Sequence, residues 1–165
     1  MSWFAVVDGA RDPRLVGLVA QTAEHACLYS GDYDEQTRAA LPWLVRVDVD
    51  EPFAETWRNH ESGRFWGIIC HSDRSLADLR RQLRKVTTAR LPGGRIVLFR
   101  FWDPRVFSTF IEHATPEEAG PFFRAADSFI VDLGQGDRRR YEWSGGLRRN
   151  GMAIAAPAGG SAVPA

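Results

Sequence analysis

The chain has 165 residues, with 21 basic and 21 acidic side chains that cancel to a net charge of zero. That length fits one domain burying roughly two-thirds of its unfolded surface and is too short for two ordinary ones. Neutrality excludes a broad basic nucleic-acid stripe, and no apolar run approaches the ~20 residues of a membrane span.

Short β-rich runs alternate with helical periodicity, which predicts an α/β fold: a single-domain mixed sheet flanked by helices. In chain order the strands are 3–8, 26–29, 43–48, 65–71, 96–102 and 128–132. The helices are 13–23, 52–62, 76–88, 104–114 and 116–126. Ser75 with Asp78, and more fully Thr115-Pro116 with Glu118, carry the capping-box spacing of a helix start. Leu91-Pro92-Gly93-Gly94 supplies the turn into the strand at Ile96. On the helix 76–88, Leu76, Leu79, Leu83 and Val86 share one face, and Arg80, Arg81, Arg84 and Lys85 make the other a solvated one.

Residues 1–134 hold 16 basic and 19 acidic groups, whereas 135–150 hold 5 and 2. The expected organisation is therefore an α/β domain over 1–134, a basic extension over 135–150, and an Ala/Gly/Pro-rich tail over 151–165 that is too poor in large apolar groups to pack and is expected to be disordered. Cys27 and Cys70 lie in apolar stretches, and the N-terminus has no charged-then-apolar leader. Together these predict free thiols in a cytoplasmic protein with no membrane partner.

Chemistry-bearing motifs are scarce. His25, His60, His71 and His113 lack metal-ligand spacing, and no phosphate loop, dinucleotide fingerprint or nucleophile elbow occurs, so no metal, cofactor or catalytic residue is assigned. Cys70 and His71 are neighbours on a strand and point to opposite faces. Arg138-Arg139-Arg140 before Tyr141 and Trp143 is too thin a signal for nucleic acid.

One tripeptide occurs twice, each time after an apolar run and before a helical pattern: Asp12-Pro13-Arg14 and Asp103-Pro104-Arg105. Asp accepts the orphan N–H bonds of a helix start and Pro is tolerated at the first helical position, so both read as strand-to-helix switches. If the two preceding strands lie side by side, Asp8, Arg11, Asp12, Arg14, Arg100, Asp103 and Arg105 gather on one sheet edge. Such an edge is an ion-pair network, a partner-binding surface, or a site for anion binding or catalysis at two helix N-termini.

The wording around these tripeptides is more specific. Asp8 to Leu15 forms a DGARDPRL block, Trp66-Gly67 a tryptophan-glycine strand, Leu83-Arg84 a helix end, and Phe99 to Val106 an FRFWDPRV block. In this order they resemble the effector-adaptor (chaperone) domain of bacterial type VI secretion systems, a family catalogued as a domain of unknown function, over residues 3–132. Trp102 stands where tyrosine is commoner in that family. The resemblance implies a non-catalytic adaptor that binds a secreted effector and helps load it onto the C-terminal part of the spike protein. It marks Asp8, Arg11, Asp12, Pro13, Arg14, Trp66, Gly67, Arg84, Arg100, Asp103, Pro104 and Arg105 as motif positions. Members often carry a second lobe where this chain has its basic extension and tail. The alternative is a small enzyme or anion-binding module using the Asp/Arg edge. Six tryptophans and twenty arginines also predict an exposed apolar patch rimmed by Arg.

Overall fold

The computed structural model describes residues 1–155 and, for backbone pairing, Val163–Pro164. Strand β1 (Ser2–Asp8) lies inside an eight-stranded sheet with β2 (His25–Cys27), β3 (Pro42–Arg46), β4 (Gly67–Ser72), β7 (Ser128–Asp132), β8 (Arg138–Trp143), β9 (Leu147–Arg149) and β10 (Met152–Ala153). Their order across the sheet is β10-β9-β8-β7-β4-β1-β3-β2. A second sheet holds β11 (Val163–Pro164), β5 (Thr88–Arg90) and β6 (Ile96–Leu98), in that order. The expected α/β layering is present, and every pairing among the described strands is antiparallel.

The helices are α1 (Arg14–Ala20), α2 (Glu35–Ala39), α3 (Pro52–Asn59), α4 (Leu76–Leu83), α5 (Pro104–His113) and α6 (Pro116–Ala125). Between β4 and β3, β1 is covered on both faces, so Phe4 to Asp8 are all buried. Phe4 and Val6 join Leu79, Leu83, Phe107 and Phe122 in one core; Ala5 and Val7 join Leu15, Val19 and Phe53 in the other. Alternate strand residues serve opposite faces, and each face takes its own layer of helices. The larger core is aromatic, with Phe122 edge-on to Phe101 and Phe107, each at 5.5 Å between ring centres.

Local signals are realised closely. Thr115 and Glu118 form the full capping box, with Thr115 N–H donating to Glu118 Oε2 at 2.8 Å and Glu118 N–H donating to Thr115 Oγ1 at 3.3 Å. Asp78 N–H donates to Ser75 Oγ at 3.2 Å. Helix α4 hands over to a 3-10 turn at Arg84–Val86; Leu79, Leu83 and Val86 are buried, and Arg81, Arg84 and Lys85 are exposed. Both cysteines are free, and burial pushes the Cys70 thiol up to about 12.

Three expectations change. The strand predicted over 96–102 ends at Leu98, because Phe101 and Trp102 turn into the core and Asp103 N–H closes on the Arg100 carbonyl. β1 and β6 lie in different sheets, so the strands preceding the two tripeptides are not neighbours. The segment 135–150 extends the main sheet as β8 and β9 rather than standing apart as a basic extension. On β8 the arginines alternate: Arg139 and Tyr141 reach Glu112 of α5, which also accepts from Arg149, while Arg138 and Arg140 take the other face. Burial raises the Glu112 carboxyl, but the bonds from Tyr141, Arg149 and Arg139 outweigh this and hold it below its ordinary value.

The tail is also partly placed. Met152–Ala153 pairs with β9, Ile154 packs on the larger core, and Val163–Pro164 pairs with β5; residues 156–162 and Ala165, where disorder was also expected, lie outside the described residues. A chain truncated after Asn150 is thus expected to melt a few degrees lower, because it loses the pairing at β10 and the packing of Ile154. Truncation after Ala155 should move the midpoint less. Thermal melts of the two truncated chains check this order.

Candidate functional site

The C-terminal end of β1 is built from close approaches. Asp8 N–H donates to the Trp66 carbonyl at 2.7 Å, and Gly9 N–H donates to the Leu41 carbonyl at 3.2 Å. A Cβ on Gly9 would sit 2.0 Å from the Ala39 carbonyl oxygen, and one on Gly67 would sit 2.0 Å from that of Val6. Both glycines are therefore required by backbone crowding. Between them Phe65 is held at φ 54°, in the left-handed region that costs a side-chain-bearing residue about 1–2 kcal/mol. This turn sends Trp66 into the smaller core, stacked on His60 at 4.6 Å.

Asp8 is the buried charge of this edge. Its side chain is 2% exposed; Oδ1 accepts from Ala10 N–H at 3.1 Å and Oδ2 from Arg100 at 2.7 Å. Arg100 reaches it from the turn after β6, so one ion pair ties the two sheets together.

The two tripeptides fold alike. Arg14 N–H donates to Asp12 Oδ1 at 2.9 Å, and its guanidinium returns to the same carboxylate at 3.0 and 2.7 Å. Arg105 N–H donates to Asp103 Oδ1 at 2.9 Å, with guanidinium bonds of 3.0 and 2.8 Å. Asp103 is the cap of α5, Asp12 takes the first N–H of α1 from one position further out, and each holds an arginine in a fork-to-carboxylate salt. Pro104 is the first residue of α5, as expected, whereas Pro13 takes the cap position of α1 and Asp12 precedes it.

These salts tune the carboxylates. The Arg14 side-chain bond holds Asp12 down at about 2. Burial raises Asp103, but its bonds from Arg105 outweigh that and keep it below the usual carboxylate range. Their stabilisation is complete above the unfolded carboxylate value and is lost as pH falls through the lower folded one. Asp103→Ala is expected to cost about 0.5–2 kcal/mol from the lost cap, and Asp12→Ala less, because it removes a bond from Arg14 N–H but no helix cap. Melting temperature in the wild type should fall between about pH 4 and pH 2, and the double variant should show a shallower fall; thermal melts over that range test both points.

Beside these salts the edge sets two guanidinium groups, one of them the salt-bound Arg105, around an aromatic ring. Arg105 lies 4.4 Å and Arg11 5.9 Å from the Phe65 ring centre, and Arg11 donates to the Arg64 carbonyl at 3.4 Å. The structure therefore gathers Asp8, Arg11, Trp66, Gly67, Arg100 and Arg105 at this edge, and Asp12 with Arg14 and Asp103 flank it. Arg84 does not join them; it is exposed at the end of α4, where its backbone N–H closes the helix. Phe65 and Gly9 were not singled out from sequence. Gly9 could have been, since Asp-Gly after a strand marks a tight approach.

The match that decides kinship covers residues 3–120, and it is to the family described as Domain of unknown function (DUF4123). The chain belongs to the DUF4123 family. The match runs from β1 into α6, so β7 to β10, which complete the main sheet, lie beyond it. No curated protein and no solved structure matches the chain.

Two concavities border this DUF4123 edge. A solvent-open hollow of about 570 Å³ follows α5 past Asp103, Arg105, Val106 and Phe110. A groove of about 490 Å³ lies on the sheet face beside α3, lined by Trp3, Trp57, Ile69 and Ile130 with Arg58 and Arg138 among its polar residues. Its apolar residues Trp3, Trp57 and Ile69 are half-buried against the smaller core, so it is not the exposed tryptophan patch expected from composition. Among the described residues no three His, Cys, Asp or Glu gather as metal ligands would, and no helix is long and apolar enough to cross a membrane.

Proposed function

We propose that this protein is a non-catalytic adaptor that binds a type VI secretion effector in the cytoplasm and helps load it onto the spike protein. The observation that carries the reading is the state of the motif edge. Asp8, Asp12 and Asp103 are each engaged by an arginine, two of them held below the ordinary carboxylate range, while Arg11 and the salt-bound Arg105 lie over a strained Phe65. Carboxylates locked as salts at low pKa make poor proton carriers near neutrality. An aromatic ring framed by guanidinium groups has the makeup of an interface hot spot. Together with the resemblance of the two Asp-Pro-Arg blocks to the secretion adaptors, this favours protein binding.

Arg11 is the clean residue for a test, because its side-chain bond goes to a backbone carbonyl and no carboxylate partner is found for it among the described residues. Arg11→Glu is expected to leave the melting temperature within a degree or two and to weaken 1:1 binding of the effector encoded beside it by about tenfold or more. Pull-down followed by calorimetry measures this. If no neighbouring effector binds the wild type, and phosphate or citrate instead saturates the edge at micromolar concentration, the anion-binding alternative takes its place.

A further inference from the structure

We propose that the free edge of β6 is a strand-addition site for an acidic, extended segment of a partner protein. Phe99 N–H donates to the Thr87 carbonyl and Leu91 N–H to the Arg95 carbonyl, while Ala89 pairs with Val97 between them. In an antiparallel ladder bonded and non-bonded pairs alternate, so 99/87, 97/89 and 95/91 are the bonded pairs. Ile96 and Leu98 therefore direct their N–H and C=O groups away from β5. β6 ends the sheet order, so among the described residues no strand pairs with that row. The opposite edge of the hairpin already takes a strand, Val163–Pro164 from this same chain.

The side chains agree with the backbone. Ile96 and Leu98 are 54% and 58% exposed, among the most exposed large apolar residues described. They are two apart on one strand and so share a face. An open edge with apolar side chains is a site that folds normally blunt or use, and added strands bind by pairing with such a row.

Charge selects the occupant. From Arg84 to Trp102 the sequence holds Arg84, Lys85, Arg90, Arg95 and Arg100 and no acidic residue. Arg100 is bound to Asp8, and the other four have no carboxylate partner among the described residues. A second copy of this chain would bring an equally basic hairpin against the first, which charge repulsion opposes. Nucleic acid would leave Ile96 and Leu98 without apolar contacts, and no aromatic ring of β6 is offered for base stacking. A strand alternating carboxylates with branched apolar residues satisfies all three features: backbone edge, apolar face and cationic flanks. This surface is separate from the Phe65 edge, and its test requires no effector.

The test is NMR titration of the full-length chain with a synthetic peptide of alternating Glu and Val. The comparison is the same peptide N-methylated on the residues facing β6, which keeps charge and side chains but cannot pair. The unmodified peptide is expected to shift the Ile96 and Leu98 amides, to bind about tenfold or more tightly than the methylated one, and to weaken as salt is raised. Arg90→Glu with Arg95→Glu, both exposed, should abolish the shifts with the fold intact. Equal binding of the methylated peptide, shifts mapping elsewhere, self-association through β6, or tighter binding of an oligothymidylate at the same amides would each overturn the proposal.

Discussion

Gly67→Ala is expected to be among the most damaging single-methyl changes available in this chain. The added Cβ would lie 2.0 Å from the Val6 carbonyl oxygen, which is backbone of the central strand and not a side chain that can swing aside. β1 and β4 are paired at Val7 and Gly67, and β1 also pairs with β3, so a shift there disturbs both ladders. The cost should reach about 3 kcal/mol, the top of the usual overpacking range, and lower the melting temperature by about 10 °C. Gly17→Ala is the internal control. A Cβ there meets nothing within 4 Å on α1, so removing a mid-helix glycine should stabilise by up to about 1 kcal/mol. Calorimetric melts of both variants decide the matter; equal midpoints would remove the steric account of the Trp-Gly motif.

Arg100→Met should cost more than Asp8→Asn, though both break one ion pair. The Asp8 side chain is 2% exposed and that of Arg100 is 50% exposed. Removing the arginine leaves a buried carboxylate without its countercharge; removing the carboxylate leaves a guanidinium that water can still reach. Fully buried pairs lose about 3–5 kcal/mol when one partner is deleted, and the half-exposed Arg100 places this pair at or below about 3. Asp8→Asn keeps the acceptor for Ala10 N–H and should cost about 1–2 kcal/mol. Denaturant midpoints of the two single variants and the double variant give the coupling energy. An Arg100 variant as stable as the wild type would show that the two sheets are held together without this pair.

Features governed by bonds within a few residues were read closely from the sequence. The Thr115 capping box, the Asp103 cap with Pro104 after it, and the Leu91–Gly94 turn are local devices, and each is present where its residue types place it. The alternation of β4 also put Cys70 in the core and His71 on the opposite face, 4.3 Å from the Trp3 ring. The run Arg138 to Arg140 misled, because a basic stretch carries no mark of where its partner carboxylates are. Glu112, which takes Arg139 and Tyr141, is 27 and 29 residues away. Short strands such as β5 and β9 likewise offered too few residues for a period to show.

The sequence by itself determined the starts of α3 to α6, the α/β content and the motif blocks, because capping, periodicity and turn chemistry are settled by residues in the same few turns; α2, only five residues long, offered too short a period to show. Only the tertiary structure decided that β1 and β6 belong to separate sheets, that Asp8 nevertheless meets Arg100 across 92 positions of chain, and that β6 is left as an edge strand among the described residues. Strand order depends on which distant segments bury each other's apolar faces, a competition among long-range pairings that leaves no signature in any one segment.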